Sequence, residues 1–410
     1  MSDGLGIIGQ PPTDLPAPPP GAVHGDADLF DCGTLLKLRT SAISDHSRRR
    51  GIILRAAIVV LVGWVPLLIL AAIQSVFLRQ EGGVLLISDV AVYCRFLIAA
   101  PLLVLVEWTC LARLGAIARN FRVSGLVGNA DKARFDEAWV STLRLRTSTV
   151  VDVVVVVLAY AIVGGLASTL PVSGLPGWHV TSTPGSTSYS PAGWWHVMVS
   201  LPLLFVLILL WLWRVALWAR FLFLMSRLDL NFVPAHPDHT GGLRFVGFSA
   251  PAFSPVGFAL GTIAAGAAAN RVLHQGASLE SFTMLVIVLT LTVVIVFAGP
   301  LLVFVYPLWL AWWRGTFEYG TLARKVGQEL ESKWLRRGQA VDEAALEAPD
   351  FSATTDLYQV TENVYSLRPI PVDFFSLASL VVATLLPFLG IVLLFTPVDV
   401  LVRELAGLLL

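Results

Sequence analysis

Apolar residues in this chain come in long blocks separated by polar stretches. A helix needs about 20 mostly apolar residues to cross the ~30 Å hydrocarbon core of a bilayer. Seven blocks meet that length: 53–77, 92–112, 149–170, 194–222, 250–272, 281–312 and 373–395. The pattern predicts an all-α integral membrane protein of about seven transmembrane helices with helical cytoplasmic extensions. The fifth block has the weakest hydropathy because it is full of Gly and Ala. Its Gly257, Gly261 and Ala265 share one stripe at four-residue spacing, which lets a neighbouring backbone approach closely. Packing within the chain is the expected use of that stripe.

Two helices are longer than a crossing requires. Residues 194–228 and 281–336 each read as helix without a strong break, and at ~1.5 Å per residue their inner ends should project as stalks. Pro300 and Pro307 should kink the sixth span. Trp194, Trp195, Trp309, Trp312 and Trp313 suit the interfacial belts. The uncharged loop PVSGLPGWHVTSTPGSTSYSPAG reads as a surface cap, and the closing VDVLVRELAGLLL as an interfacial amphipathic helix.

Basic residues set the expected direction. Lys37, Arg39 and Arg48 to Arg50 precede the first span; seven Lys or Arg lie in each of the loops 113–148 and 313–372. The alternate loops hold only Arg79 and Arg271. By the positive-inside rule the N-terminus is cytoplasmic and the C-terminus outside. Five regions follow: a disordered Pro-rich N-terminus (1–27), a cytoplasmic amphipathic segment (28–50), a six-helix membrane region (51–312), a cytoplasmic helical segment (313–372), and the last span with the C-terminal helix (373–410). Within 313–372, an acidic linker, VDEAALEAPD, precedes a short helix that Thr354 or Thr355 should cap. This segment is the expected docking place for a soluble protein partner.

Composition agrees with a bilayer as solvent. The chain is 56% hydrophobic and 14% charged, against about 25% charged in a typical soluble domain. The formal net charge is zero, which gives no reason to expect nucleic acid as a partner. The partners expected are the lipid bilayer and further copies of the chain. Cys32, Cys94 and Cys110 make neither a disulfide framework nor a Cys-based zinc site. No cleavable signal peptide is evident before the first span, and no cofactor is expected.

Ionisable groups inside spans are costly and mark candidate sites. Arg95 and Glu107 fall in the second span, Asp152 near the inner end of the third and Arg214 in the inner third of the fourth. Two readings stand: a buried ion pair such as Glu107 with Arg214, or an ion or solute path lined by Glu107, Asp152, Arg214 and Arg95, with Asp89 beside Arg95. Between the fourth and fifth spans runs FVPAHPDHTGGLRF. His236, Asp238 and His239 form a weak metal-ligand set. Equally, Pro237, Asp238, Gly241 and Gly242 have the chemistry of a tight turn. A third use is a cytoplasmic gate built from His236, Asp238, Gly241 and Gly242.

Several segments together are similar to a family of uncharacterised multi-pass inner-membrane proteins of bacteria with an HPDxxGGL motif. They are RFLIAAPLLVLVE, LRLRTST, the stretch from WLWR to SRLDL, HPDHTGGL, the EYG and KW elements, and RPIPVDFFSLASLVVATLLPFLG. The resemblance implies that His236 and Asp238 are the fixed pair of the motif while the position of His239 varies. It also implies that Arg95, Glu107 and Arg214 belong to the pattern; it implies no activity. The leading expectation is a channel or transporter for a small ion or polar solute. A metal-assisted hydrolase acting on a lipid-linked substrate and a non-catalytic scaffold or sensor are the alternatives.

Overall fold

The computed structural model describes residues 45–77, 86–169, 176–183, 186–335 and 350–395. The Pro-rich N-terminus, most of the amphipathic segment 28–50, nearly all of the acidic linker and the C-terminal helix after 395 lie outside them.

Among the described residues seven helices are long and apolar enough to cross a membrane, at the seven places the blocks indicate. The first crossing is α1 (Asp45–Gly63) followed by α2 (Val65–Phe77). The second is α3 (Val90–Val123). An amphipathic helix, α4 (Lys132–Arg146), leads to α5 (Thr149–Thr169), and α6 (Pro191–Ser226) returns. Then come α7 (Ser254–Gln275) and α8 (Leu279–Trp334), followed by α9 (Asp350–Tyr365) and α10 (Phe374–Phe395). The HPDHTGG loop lies between α6 and α7 and defines the motif face of the bundle.

The least apolar crossing is the most buried one. α7 has the lowest hydropathy of the seven crossings and the most buried surface, whereas α5 is among the most exposed. A helix bathed in lipid needs bulky apolar side chains, and a central one needs small ones. The stripe on α7 meets α10: a Cβ placed on Gly261 would lie 2.1 Å from the Thr384 carbonyl oxygen, and one on Gly257 2.6 Å from the Thr384 hydroxyl. The stripe is therefore spent on packing inside the chain, as expected.

Proline breaks are repaired by side chains. Pro66 has no N–H to offer the Val62 carbonyl four residues earlier. That oxygen accepts instead from Trp195 Nε1 at 3.1 Å, and Ser200 Oγ donates to the adjacent Gly63 carbonyl at 2.8 Å. Trp195 thus serves as an internal cap rather than only as an interfacial anchor. Pro202 likewise strips the Met198 carbonyl, within a π-helical turn at His196–Ser200, and Tyr160 donates its hydroxyl there at 3.0 Å. A second π turn, Cys94–Ala99, opens α3. The expected kink at Pro300 is a 3₁₀ turn, Gly299–Phe304.

α8 spans 56 residues, about 80 Å at 1.5 Å per residue, so it runs well beyond a ~30 Å core. Its last turns form a hairpin with α9, held by the Lys333–Asp350 ion pair and by Trp334 against Phe351. The expected cap at Thr354 or Thr355 is not one. The helix already includes Asp350, and both hydroxyls bond back to carbonyls four residues earlier. Exposed Tyr306, Trp309 and Trp313 stack in sequence along α8 and Phe317 meets Trp313 edge-on, in keeping with an interfacial belt.

On the opposite face the uncharged loop forms a cap. Its described part is a 3₁₀ turn (Gly177–His179) and a hairpin of β1 (Val180–Thr183) and β2 (Ser186–Tyr189), paired Val180 to Tyr189 through Thr183 to Ser186. Trp178 is fully buried beneath it and donates to Asp89 Oδ2 at 2.9 Å.

Candidate functional site

The intramembrane charges do not all meet. Glu107, on the inward side of α3, is 3% exposed, and Arg214 of α6 is 1% exposed. Arg214 Nη2 reaches Glu107 Oε1 at 2.6 Å, and Arg55 Nη1 of α1 reaches Oε2 at 3.2 Å. One carboxylate thus bridges two guanidiniums, and the three groups come from three helices. Arg214 also lies over the Trp211 ring, 4.7 Å from its centroid, and Trp211 Nε1 donates to the Leu103 carbonyl. The ion-pair reading of Glu107 with Arg214 describes this contact.

Asp152 and Arg95 stand elsewhere. Asp152 sits half-buried in the first turn of α5, where a carboxylate suits the positive end of the helix dipole, and makes no ion pair among the described residues. Arg95 belongs to the π turn of α3. Asp89 acts on its charge, but the Asp89 oxygens are used by Val92 N–H and Trp178 Nε1. The rings of His179 and His196 are near the same place, 4.9 Å apart. Burial, and then the charge of Arg95, push the His179 imidazole down to about 3, so it is neutral at physiological pH.

Arg55 and Glu107 stand at one end of a cleft of about 270 Å³ between α1, α5 and α6, with α3 behind it. Arg55 and Glu107 are the charged groups lining it, and Tyr160 adds a phenol; the other walls are aliphatic, including Val59, Val104, Val156 and Val206. The far end reaches Val62, Val199 and Pro202, beside the two proline breaks. The volume is just below the ~300–1,000 Å³ typical of small-molecule sites. Arg55 was legible as an arginine inside the first apolar block, but its place two residues from the block's edge hid it among the interfacial basic residues. Its partner on another helix is a tertiary fact.

The HPDHTGG loop is a hydrogen-bonded turn. Asp238 Oδ1 accepts from the N–H groups of Thr240 (2.9 Å) and Gly242 (3.1 Å), and Oδ2 from that of Arg244 (3.1 Å). His239 has φ 54°, Gly241 64° and Gly242 95°, left-handed values that glycine adopts without cost and histidine tolerates. His236 Nδ1 lies 2.9 Å from Asp238 Oδ1 and 3.2 Å from Asp238 N, and it cannot both donate and accept. A bare nitrogen lone pair facing a carboxylate at that distance would be repelled, so the tautomer carrying Nδ1–H is assigned. His239 turns away: its Nδ1 meets Ser366 Oγ at 2.9 Å, and its carbonyl accepts from Arg368 N–H at 2.7 Å. With Arg244 Nε on Asp373 Oδ2 at 3.0 Å, the loop clasps the segment that leads into α10. Among the described residues no three His, Cys, Asp or Glu side chains are grouped to share a metal ion.

Burial works to raise the Asp238 carboxyl, but the backbone N–H groups of Thr240, Gly242 and Arg244 outweigh it and hold the group below the usual carboxylate range. A depressed carboxylate contributes stability above its unfolded value of about 3.9, and the contribution is lost as pH falls through the lower folded value. Asp238→Ala should cost about 2 kcal/mol at pH 7, and the gap to the parent should close as pH falls below 4. Detergent-solubilised thermal melts across that range check it.

No family model, curated protein or solved structure matches the chain.

Proposed function

We propose that this chain is a membrane transporter or carrier whose solute is a bilayer-dissolved amphiphile, loaded sideways through the α1–α5–α6 cleft. The observation that carries this reading is the cleft itself: aliphatic walls, a polar end at Arg55 and Glu107, and one side formed by the lightly packed α5. Such a lining suits a hydrocarbon chain better than a hydrated ion. The breaks at Pro66 and Pro202 border the cleft, and the Tyr160–Met198 hydrogen bond ties α5 across it; broken helices next to a site are where moving elements hinge. A small-ion path has less support. Asp152 and Arg95 do not line the cleft, and both Glu107 oxygens are held by guanidiniums. A hydrolase centred on His236 and Asp238 has less again, since those groups are used within the turn.

The same reading places the protein in a bacterial inner membrane with the motif face toward the cytoplasm. Arg119 and Arg122 stand in the last two turns of α3 and Arg144 and Arg146 in the last turn of α4, on that face, in keeping with the positive-inside rule. Membership of the HPDxxGGL family belongs to this reading too, resting on the motif residues.

The test uses diazirine-bearing long-chain amphiphiles of several headgroups in proteoliposomes. Saturable labelling of the protein is expected, and Val206→Trp, which fills the cleft from α6, should reduce it severalfold while the protein keeps its melting temperature. Labelling that does not saturate, or that Val206→Trp leaves unchanged for every headgroup, would overturn the proposal.

A further inference from the structure

The cleft has a direction. α1 and α5 leave the motif face at Asp45 and Thr149, and α6 arrives there at Ser226. Arg55, Glu107, Val156 and Leu210 therefore line the end nearer the motif face, and Val62, Val199 and Pro202 the end nearer the bilayer midplane. Polar toward one surface and apolar toward the middle is the gradient of a single bilayer leaflet. A chain-bearing molecule of that leaflet would fit without inverting: headgroup at Arg55, tail toward the proline breaks.

The sign of the headgroup follows from how the polar end is built. A cationic headgroup would need the Glu107 carboxylate, but Arg214 holds Oε1 and Arg55 holds Oε2, with Glu107 and Arg214 almost wholly buried. Binding a cation would mean displacing a guanidinium from a buried pair, which leaves an uncompensated charge. An anionic headgroup needs only donors. Arg55 is the partly exposed member, at 19% of its side chain, and faces the cleft. A guanidinium carries five N–H donors in a fork that serves several acceptors together and matches carboxylate and phosphate oxygens. Glu107 positions that fork through Nη1, with Arg214 behind it on the other carboxylate oxygen.

We infer that the ligand is an amphiphile with an anionic phosphate or carboxylate headgroup, held by Arg55 with its acyl or alkyl chain in the cleft. This rests on the lateral-binding reading above and narrows it to one headgroup class.

Three diazirine probes of equal chain length decide it in proteoliposomes at pH 7.5: an alkyl phosphate, an alkyl alcohol and an alkyl trimethylammonium. The phosphate should label with roughly tenfold higher apparent affinity than the ammonium, as expected for a charge-assisted pair, with the alcohol between. Arg55→Gln should erase the preference and Arg55→Lys keep part of it. Because the ranking is read first in the unaltered protein, a poorly folded variant does not remove the test. Inorganic phosphate alone, at millimolar concentration, should leave labelling unchanged; full competition by it would mean a bare anion site and overturn the inference. Equal or inverted ranking with labelling still blocked by Val206→Trp would overturn the headgroup assignment and leave lateral binding standing. Insensitivity of all three probes to Val206→Trp would remove both.

Discussion

Glu107→Leu should cost about 3–5 kcal/mol, the largest loss expected of any single change in the membrane region. The carboxylate is the meeting point of α1, α3 and α6 through Arg55 and Arg214. Removing it leaves the Arg214 guanidinium, almost fully buried and out of reach of water, without its carboxylate. Arg214 Nε already lacks a hydrogen-bond partner among the described residues, so the group has little left to fall back on. The double change Glu107→Leu with Arg214→Leu should recover much of the loss, because a buried pair replaced by apolar residues is often near neutral. Melting of the detergent-solubilised protein followed by size-exclusion chromatography reads both. A single change as stable as the parent, or a double change worse than the sum of the two singles, would contradict the ion-pair account.

Gly261→Leu should be nearly as damaging, for a steric reason. Even the Cβ of alanine would lie 2.1 Å from the Thr384 carbonyl oxygen of α10, and a main-chain atom cannot swing aside as a side chain can. α7 and α10 would have to separate, losing this close contact between them. Overpacking with a movable neighbour costs about 1–3 kcal/mol, and a backbone clash should exceed that range. Gly164→Leu is the control, because a Cβ there meets nothing within 4 Å on lipid-facing α5. Comparable destabilisation at both positions would mean that the α7–α10 approach is not what Gly261 secures.

The parts of this architecture that were readable in advance are those that lipid dictates. A helix facing hydrocarbon must be apolar over the whole crossing, so α5 and α8 announced themselves, and α8's excess length gave away its projection. α7 read weakly for the same reason: its surroundings are protein, and Gly257 and Gly261 save space rather than add hydrophobicity. The partner of that stripe was hidden, since small residues say that something comes close but not which helix does. The charged residues illustrate the same limit. Glu107, Asp152 and Arg214 have similar heights along the chain, yet only Glu107 and Arg214 face each other, because rotation about a helix axis is set by packing. Arg55 stands near a block edge, where an arginine has the pattern of an interfacial residue. The proline breaks could be anticipated from Pro66 and Pro202; that Trp195 and Tyr160 would supply the missing donors could not. Thr354 and Thr355 misled because a hydroxyl that caps a helix from outside can equally bond back four residues from within.

The central claim, that a bilayer-dissolved chain occupies the α1–α5–α6 cleft, is tested most directly by where the photoreactive amphiphile attaches. Peptide mapping by mass spectrometry should place the saturable adducts on the cleft-facing positions of α5 and α6, around Val156, Tyr160 and Val206, and Val206→Trp should abolish them. Adducts spread evenly over every lipid-facing helix, including the aromatic ladder of Tyr306, Trp309 and Trp313 on α8, would show that the probe samples only the bulk bilayer and would contradict the claim.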